Sequence, residues 1–169
     1  ECVGTLHHMG DPFKGWKNLV NCLSPEGIMK IGLYSQSARV NVVKIRDQIK
    51  RFNINTSDNE IKLFRKKLIE SNTFKDKNIL FSNDFYSLSS VRDLLFHVQE
   101  QTFTISQIKN YLDNLGLKFC GFELVDILED LKKIHFADNE YLDLNKWDIL
   151  EKNNPSIFGN MYQFWCQKN

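Results

Sequence analysis

Apolar positions near the amino end fall into two short runs separated by a helical pattern. The first run includes Val3 and Leu6 and leads into a His7-His8 pair. Asp11 and Pro12 then open a helix, Asp11 as N-cap and Pro12 at the first helical position, where a missing N–H costs nothing. Trp16, Leu19, Val20 and Leu23 follow at helical spacing. Ser24, Pro25, Glu26 and Gly27 break the pattern, and Ile28 to Leu33 form a second apolar run suited to a buried strand. The unit is strand, crossover helix, strand. Such units are right-handed with parallel strands, and ligands lie in the crevice at the carboxyl ends of those strands. Here those ends carry Leu6, His7, His8 and Met9 after the first strand, and Tyr34 and Ser35 after the second.

Residues 37–52 place Val42, Ile45, Ile49 and Phe52 on one helical face, with Arg39, Lys44, Arg46, Lys50 and Arg51 mostly elsewhere on the wheel. Ser57 and Glu60 read as a capping box for a second helix with a core face of Ile61, Phe64 and Leu68. Residues 71–90 lack periodicity, and their aromatics Phe74, Phe81, Phe85 and Tyr86 are irregularly spaced, so a surface segment with short helical turns is expected. A short helix or extended element follows over 91–96. Thr104 and Gln107 form another capping box, Ile105, Ile108, Leu112 and Leu115 the stripe behind it, and Gly116 the C′ stop. Residues 117–124 read as a strand. Leu124, Ile127, Leu128, Leu131 and Ile134 describe an acidic amphipathic helix, Asp143 caps a shorter one containing Trp147 and Leu150, and Met161 to Cys166 form a last strand.

Composition adds bounds to this outline. The chain has 169 residues, 42% hydrophobic and 25% charged, which fits a globular domain and argues against disorder. No apolar run is long enough to cross a bilayer and the amino end lacks the order of a signal peptide, so no membrane partner and a cytoplasmic location are expected. Cys2, Cys22, Cys120 and Cys166 are dispersed without ligand spacing and read as reduced, packed thiols, with no metal site. The net charge of +1 conceals an asymmetry: ten Lys or Arg against five Asp or Glu between Lys44 and Lys77, and ten acidic against four basic residues between Asp113 and Glu151. A nucleic-acid surface and solvated helix faces both fit the basic stretch. The absence of interleaved aromatics favours solvated faces.

The run GTLHHMGDPFKGWKNLVNCLSPEGIMKIGLYS resembles the second half of a class I S-adenosylmethionine-dependent methyltransferase, from the fourth strand of its sheet onward. Leu6-His7-His8-Met9 matches the end of that strand, and Leu23-Ser24-Pro25-Glu26-Gly27 the turn before strand five, with Glu26 where the family has a second glycine. RDLLFHVQEQTFTISQIKNYLDNLGLKFCGFEL resembles the helix and strand six, and MYQFWCQK the closing strand. The implied architecture is α/β: a partial Rossmann-like methyltransferase sheet of parallel strands plus an antiparallel last strand, with a large helical insertion. Three segments are expected: a strand-helix-strand core over 1–35, a helical insertion or lid over 36–103, and the remaining helices and strands of the same domain over 104–169.

The resemblance implies a parent protein that uses S-adenosylmethionine on an unidentified acceptor. The family's glycine-rich turn after strand one is absent here, and Glu1 stands already inside a strand. We therefore expect a fragment of a longer chain that binds no cofactor alone and pairs with a missing N-terminal half of the fold. His8 is the candidate for hydrogen-bonding an acceptor or taking its proton, because an imidazole near neutrality can do either. Leu6 and His7 are cofactor-side candidates, and Tyr34, Arg39, Arg92 and His97 substrate-side candidates. Arg92, Asp93, His97 and Glu100 form the densest polar cluster, which also fits a helix surface and loop network. A His7, His8 and Cys2 metal site is disfavoured, since adjacent strand residues face opposite ways. The competing reading is a non-catalytic interaction module that self-associates as a homodimer through the edge of the first strand, near Val3 to Leu6.

Overall fold

A computed structural model describes residues 1–70, 78–123 and 140–169. The chain divides into two compact units, one made of 1–39 with 99–169 and the other of 40–98. The first contains a four-stranded sheet in the order β1-β2-β4-β3. Strands β1 (Cys2–Val3) and β2 (Ile28–Tyr34) are parallel, with Cys2 opposite Ile31 and Val3 opposite Gly32. Strand β4 (Met161–Lys168) runs antiparallel between β2 and β3 (Leu117–Phe122). This is an α/β sheet with parallel strands and an antiparallel closing strand, as the sequence led us to expect.

Period-two burial sets the register. Met29, Ile31 and Leu33 of β2 lie opposite Cys166, Phe164 and Tyr162 of β4, and all six are buried. Helix α1 (Pro12–Asn21) adds Trp16 and Val20 to this core, the Trp16 indole donating to Met29 Sδ at 3.3 Å. Asp11 caps α1 through the Lys14 N–H, with Pro12 at the first position. Helix α5 (Ile105–Leu115) carries the full Thr104/Gln107 box and ends on Gly116 at φ 64°, a left-handed stop that costs glycine little. Strand β3 then bulges between Phe119 and Gly121. Helix α6 (Leu144–Asn153), capped by Asp143, inserts Trp147 into the same core.

The other unit, taken by itself, is helical. Helices α2 (Val40–Arg51), α3 (Asp58–Glu70) and α4 (Leu88–Phe96) share a core of Val42, Ile45, Ile49, Ile61, Phe64, Leu68, Val91, Leu95 and Phe96, joined by Ile79 and Phe85. The Ser57 hydroxyl accepts from the Glu60 N–H at 3.4 Å at the start of α3. Phe85 is fully buried while Tyr86 is 64% exposed. Phe74 and the expected acidic helix over 124–134 lie outside the described residues.

Three local expectations change. The first strand ends at Val3 because Gly4 turns at φ 81°, and Leu6–His8 form a 3-10 turn rather than strand. The alternation used against a His7, His8 and Cys2 site therefore does not apply to the two histidines, whose ring centroids are 4.5 Å apart. Among the described residues no group of three His, Cys, Asp or Glu is placed to hold a metal ion. Finally, Arg46, assigned to a solvated face, is buried and donates to the His97 carbonyl, and Arg39, placed off the apolar face of the same helix, precedes α2, is buried and is held by Glu100. No helix among the described residues is long and apolar enough to cross a membrane.

Candidate site at the carboxyl ends of the parallel strands

The parallel pair ends on one side in the Leu6–His8 turn and on the other in Tyr34 and Ser35. Residues 99–103 tie the two ends together. The Gln101 N–H donates to the His7 carbonyl at 2.8 Å, and the Gln101 side chain to the carbonyls of Met9 at 2.9 Å and Gly10 at 3.3 Å. The Phe103 N–H donates to the Tyr34 carbonyl, the Gln36 N–H to the Phe103 carbonyl, and Ser35 bridges Phe103 in parallel. This strap extends the strand pairing past the end of β2 and satisfies backbone groups that burial would otherwise leave unmade.

Side chains stack over it. The His7 ring, wholly buried, lies 3.8 Å from the Tyr34 ring at 29°, and the Arg39 guanidinium carbon sits 3.6 Å from the centroid of the same Tyr34 ring. Arg39 donates through Nε and Nη2 to the two oxygens of Glu100 at 2.9 and 2.8 Å, with side-chain exposures of 2% and 4%. The pair is bidentate and nearly dry, the geometry in which an Arg-carboxylate contact is strongest. His8 stands edge-on to His7 and to Tyr34, its Nδ1 2.9 Å from the Gln99 carbonyl.

Beside this lies a second polar group. Glu151 of α6, 3% exposed, accepts from the Ser35 hydroxyl at 2.7 Å and from the Tyr162 hydroxyl at 2.7 and 2.8 Å. Burial holds its carboxyl above the usual carboxylate range, the two hydroxyls pull it back, and Asp148 pushes it up again. Burial likewise raises the Tyr162 phenol, and it pushes the Cys166 thiol up to about 12, with Cys120 adding to the effect.

The structure thus gathers His7, His8, Tyr34 and Arg39 at one place. Leu6 is 1% exposed with its side chain in the core. Arg92 and His97 belong to the helical unit, where Arg92 pairs with Asp58 and the His97 carbonyl accepts from Arg46. Gln99, Glu100 and Gln101 were not singled out as site residues, although Glu100 stood in the polar cluster. Glu151 was missed too. It falls on the α6 stripe at Leu144, Trp147, Glu151 spacing, and a charged residue on a buried face was the available signal.

The fit to a nucleoside cofactor is incomplete. The glycines stand at 4, 10, 15, 27, 32, 116, 121 and 159, never in a glycine-rich turn that follows a strand and lets backbone approach a ligand. These residues alone do not build that cradle.

The α/β architecture is shared with solved structures. PKMT2 from Rickettsia typhi superimposes with a TM-score of 0.62 at 12% identity, covering 98% of this chain and 34% of that one. The same protein in complex with AdoHcy gives 0.59 at 14% identity, with the same coverage of both chains. In sequence, the uncharacterized protein syc1184_c of Synechococcus sp. (strain ATCC 27144 / PCC 6301 / SAUG 1402/1) is 24% identical over 173 aligned positions, covering 92% of this chain and 40% of the relative. This chain therefore spans about two-fifths of that curated relative and a third of the solved structures. No protein-family model matches it.

Proposed function

We propose that this chain is the C-terminal portion, strands four to seven, of a methyltransferase that uses S-adenosylmethionine, and that it forms the acceptor-facing wall of the site. The observation that carries the reading is the sheet order, two parallel strands followed by an antiparallel closing strand inserted before the edge, in a fold whose neighbour PKMT2 holds AdoHcy in one solved form. The polar column of His7, Tyr34 and Arg39, with His8 at its rim, lies at the carboxyl ends of the parallel pair, where α/β sheets place their ligands. His8 orients the acceptor, Tyr34 and Arg39 shape the wall, and the backbone of Leu6 and His7 approaches the cofactor side. The glycine cradle comes from residues outside this chain.

Calorimetry tests the reading in two parts. The 169 residues alone are expected to give no measurable heat with S-adenosylmethionine, and micromolar binding by them would overturn the claim that the cradle lies elsewhere. A longer protein that carries this chain together with a preceding glycine-rich strand-turn-helix is expected to bind. If it does not, the methyltransferase reading fails.

A second reading has its own observation: β1 lies at the edge of the sheet and its Val3 is 38% exposed. An edge of that kind can pair with a second copy. Light scattering that returns a monomer at high protein concentration would dispose of it.

A further inference from the structure

The buried carboxyl of Glu151 is bonded to the turn that carries Tyr34 and Arg39 into the site. That turn, residues 35–39, runs from the end of β2 to the residue before α2. Its ends close over each other, since the Arg39 guanidinium carbon lies 3.6 Å from the ring centroid of Tyr34. Ser35 holds the turn from within: its carbonyl accepts from the Arg39 N–H at 3.1 Å, and its hydroxyl oxygen from the Ala38 N–H at 3.1 Å. The proton of that hydroxyl goes to Glu151 Oε1 at 2.7 Å. Tyr162 donates to the same carboxyl from β4, and all three residues are buried.

A hydroxyl that donates to an anion is polarised, and its oxygen becomes a stronger acceptor in turn. Ionised Glu151 can only accept, so Ser35 and Tyr162 both donate to it and the Ala38 bond is then at its strongest. A protonated Glu151 accepts more weakly and must itself place a proton on a neighbouring oxygen. The Ser35 hydroxyl loses polarisation, and the Ala38 N–H is held less tightly. Burial favours the neutral acid, Ser35 and Tyr162 favour the carboxylate, Asp148 opposes it and Ser37 favours it. Asp148 lies on the same helix and is bound to Lys152 and to the Ser106 hydroxyl. The other charges on the elements packed here are matched as well: Lys109 of α5 with Asn145, Lys146 with Glu140, and Arg39 with Glu100.

We infer that Glu151 is a positioning residue for the candidate site: its charge, passed through the Ser35 hydroxyl, sets how tightly the 35–39 turn holds Arg39 over Tyr34, so that the wall responds to pH. The relay stands on the hydrogen bonds alone, whereas its meaning as control of an acceptor wall rests on the methyltransferase reading above.

Carboxyl-carbon and amide spectra of the labelled 169-residue chain, followed through a pH titration, test the relay without any cofactor. The Glu151 carboxyl is expected to titrate above its ordinary value of 4.5, and the Ala38 amide proton to move upfield as pH falls, with the same midpoint. The Arg39 Nε–H signal, which reads the guanidinium against the Tyr34 ring, should move with it. In Glu151→Gln both signals should stay still at that midpoint. Tyr162→Phe removes a donor to the carboxylate and should raise the Glu151 midpoint by about one pH unit, carrying the Ala38 and Arg39 midpoints up with it. That variant keeps the volume of the core and serves if the Gln variant does not fold. Ser35→Ala should leave Glu151 titrating while Ala38 and Arg39 cease to follow. A wild-type Ala38 or Arg39 signal that ignores the Glu151 titration, movement at that midpoint that persists in Glu151→Gln, or midpoints that part in Tyr162→Phe would each overturn the inference. Failure of the longer protein to bind S-adenosylmethionine would remove the acceptor from the wall while leaving the relay standing.

Discussion

Removing one partner of the Arg39–Glu100 pair should cost far more than removing both. The two side chains are 2% and 4% exposed and joined by two charge-assisted hydrogen bonds, so Arg39→Met takes both bonds from a carboxylate in a nearly dry site. Breaking a buried pair on one side costs about 3–5 kcal/mol, and replacing both partners by apolar groups is often close to neutral. For Arg39→Met we expect about 4 kcal/mol, a large share of the roughly 5–15 kcal/mol that holds a domain together. At a urea dependence of about 2 kcal/mol per molar, that moves the midpoint down by roughly 2 M. Glu100→Leu should cost slightly less, about 3 kcal/mol, because the freed guanidinium keeps its place over Tyr34. The double variant should cost about 2 kcal/mol or less, giving a coupling near 5 kcal/mol. Trp16, Trp147 and Trp165 all lie in the sheet-containing unit, so urea titration followed by tryptophan emission reports that unit alone. Single variants that each lose under about 1 kcal/mol, as exposed ion pairs do, or a double variant as costly as the sum of the singles, would refute the argument.

Glu151 gives a pH test. Its folded carboxyl titrates above the ordinary value of 4.5, so the folded state holds the proton more tightly than the unfolded chain. The stability it contributes is complete below that ordinary value and is lost as pH rises toward the folded one. Glu151→Gln, which stays neutral, should therefore gain on wild type in melting temperature as pH rises above 4.5, and a difference that does not change with pH would contradict the assignment. Gly32→Ala would bring a Cβ within 2.7 Å of Val3 Cγ1 and 3.0 Å of Met161 Sδ, so we expect a loss of about 1–3 kcal/mol by urea titration and broadened amide signals at Cys2 and Val3. Thr104→Ala removes one half of the capping box on α5 and should cost about 1 kcal/mol by the same assay.

Local chemistry made much of this fold readable. Asp11-Pro12, Thr104 with Gln107, Gly116 and Asp143 act within four residues of themselves, through caps and backbone angles, and each stands where its pattern placed it. The closing strand was readable because Tyr162, Phe164 and Cys166 alternate with half-exposed neighbours. The first strand was overrun because apolar character continues from Val3 to Leu6 while Gly4, a single residue, turns the chain between them.

The site was legible only where the chain is contiguous. His7 with His8, and Tyr34, sit directly after their strands, so topology alone sets them at the carboxyl ends. Glu100 and Arg39 are 61 residues apart, and nothing local distinguishes a glutamate that will neutralise a buried arginine from one that will face water. Arg39 was a candidate by its place just past β2, but its partner was not, because it lies one residue ahead of α2 and is held by the distant strap. Position 151 differs: Leu144 and Trp147 lead down a buried stripe to a glutamate, and the cost of an unpaired carboxylate there demands donors such as Ser35 and Tyr162. A charge on an apolar stripe thus signals a buried polar partner even when the partner's identity must wait for the fold, whereas a charge outside any stripe signals nothing until the segment that pairs with it has been placed.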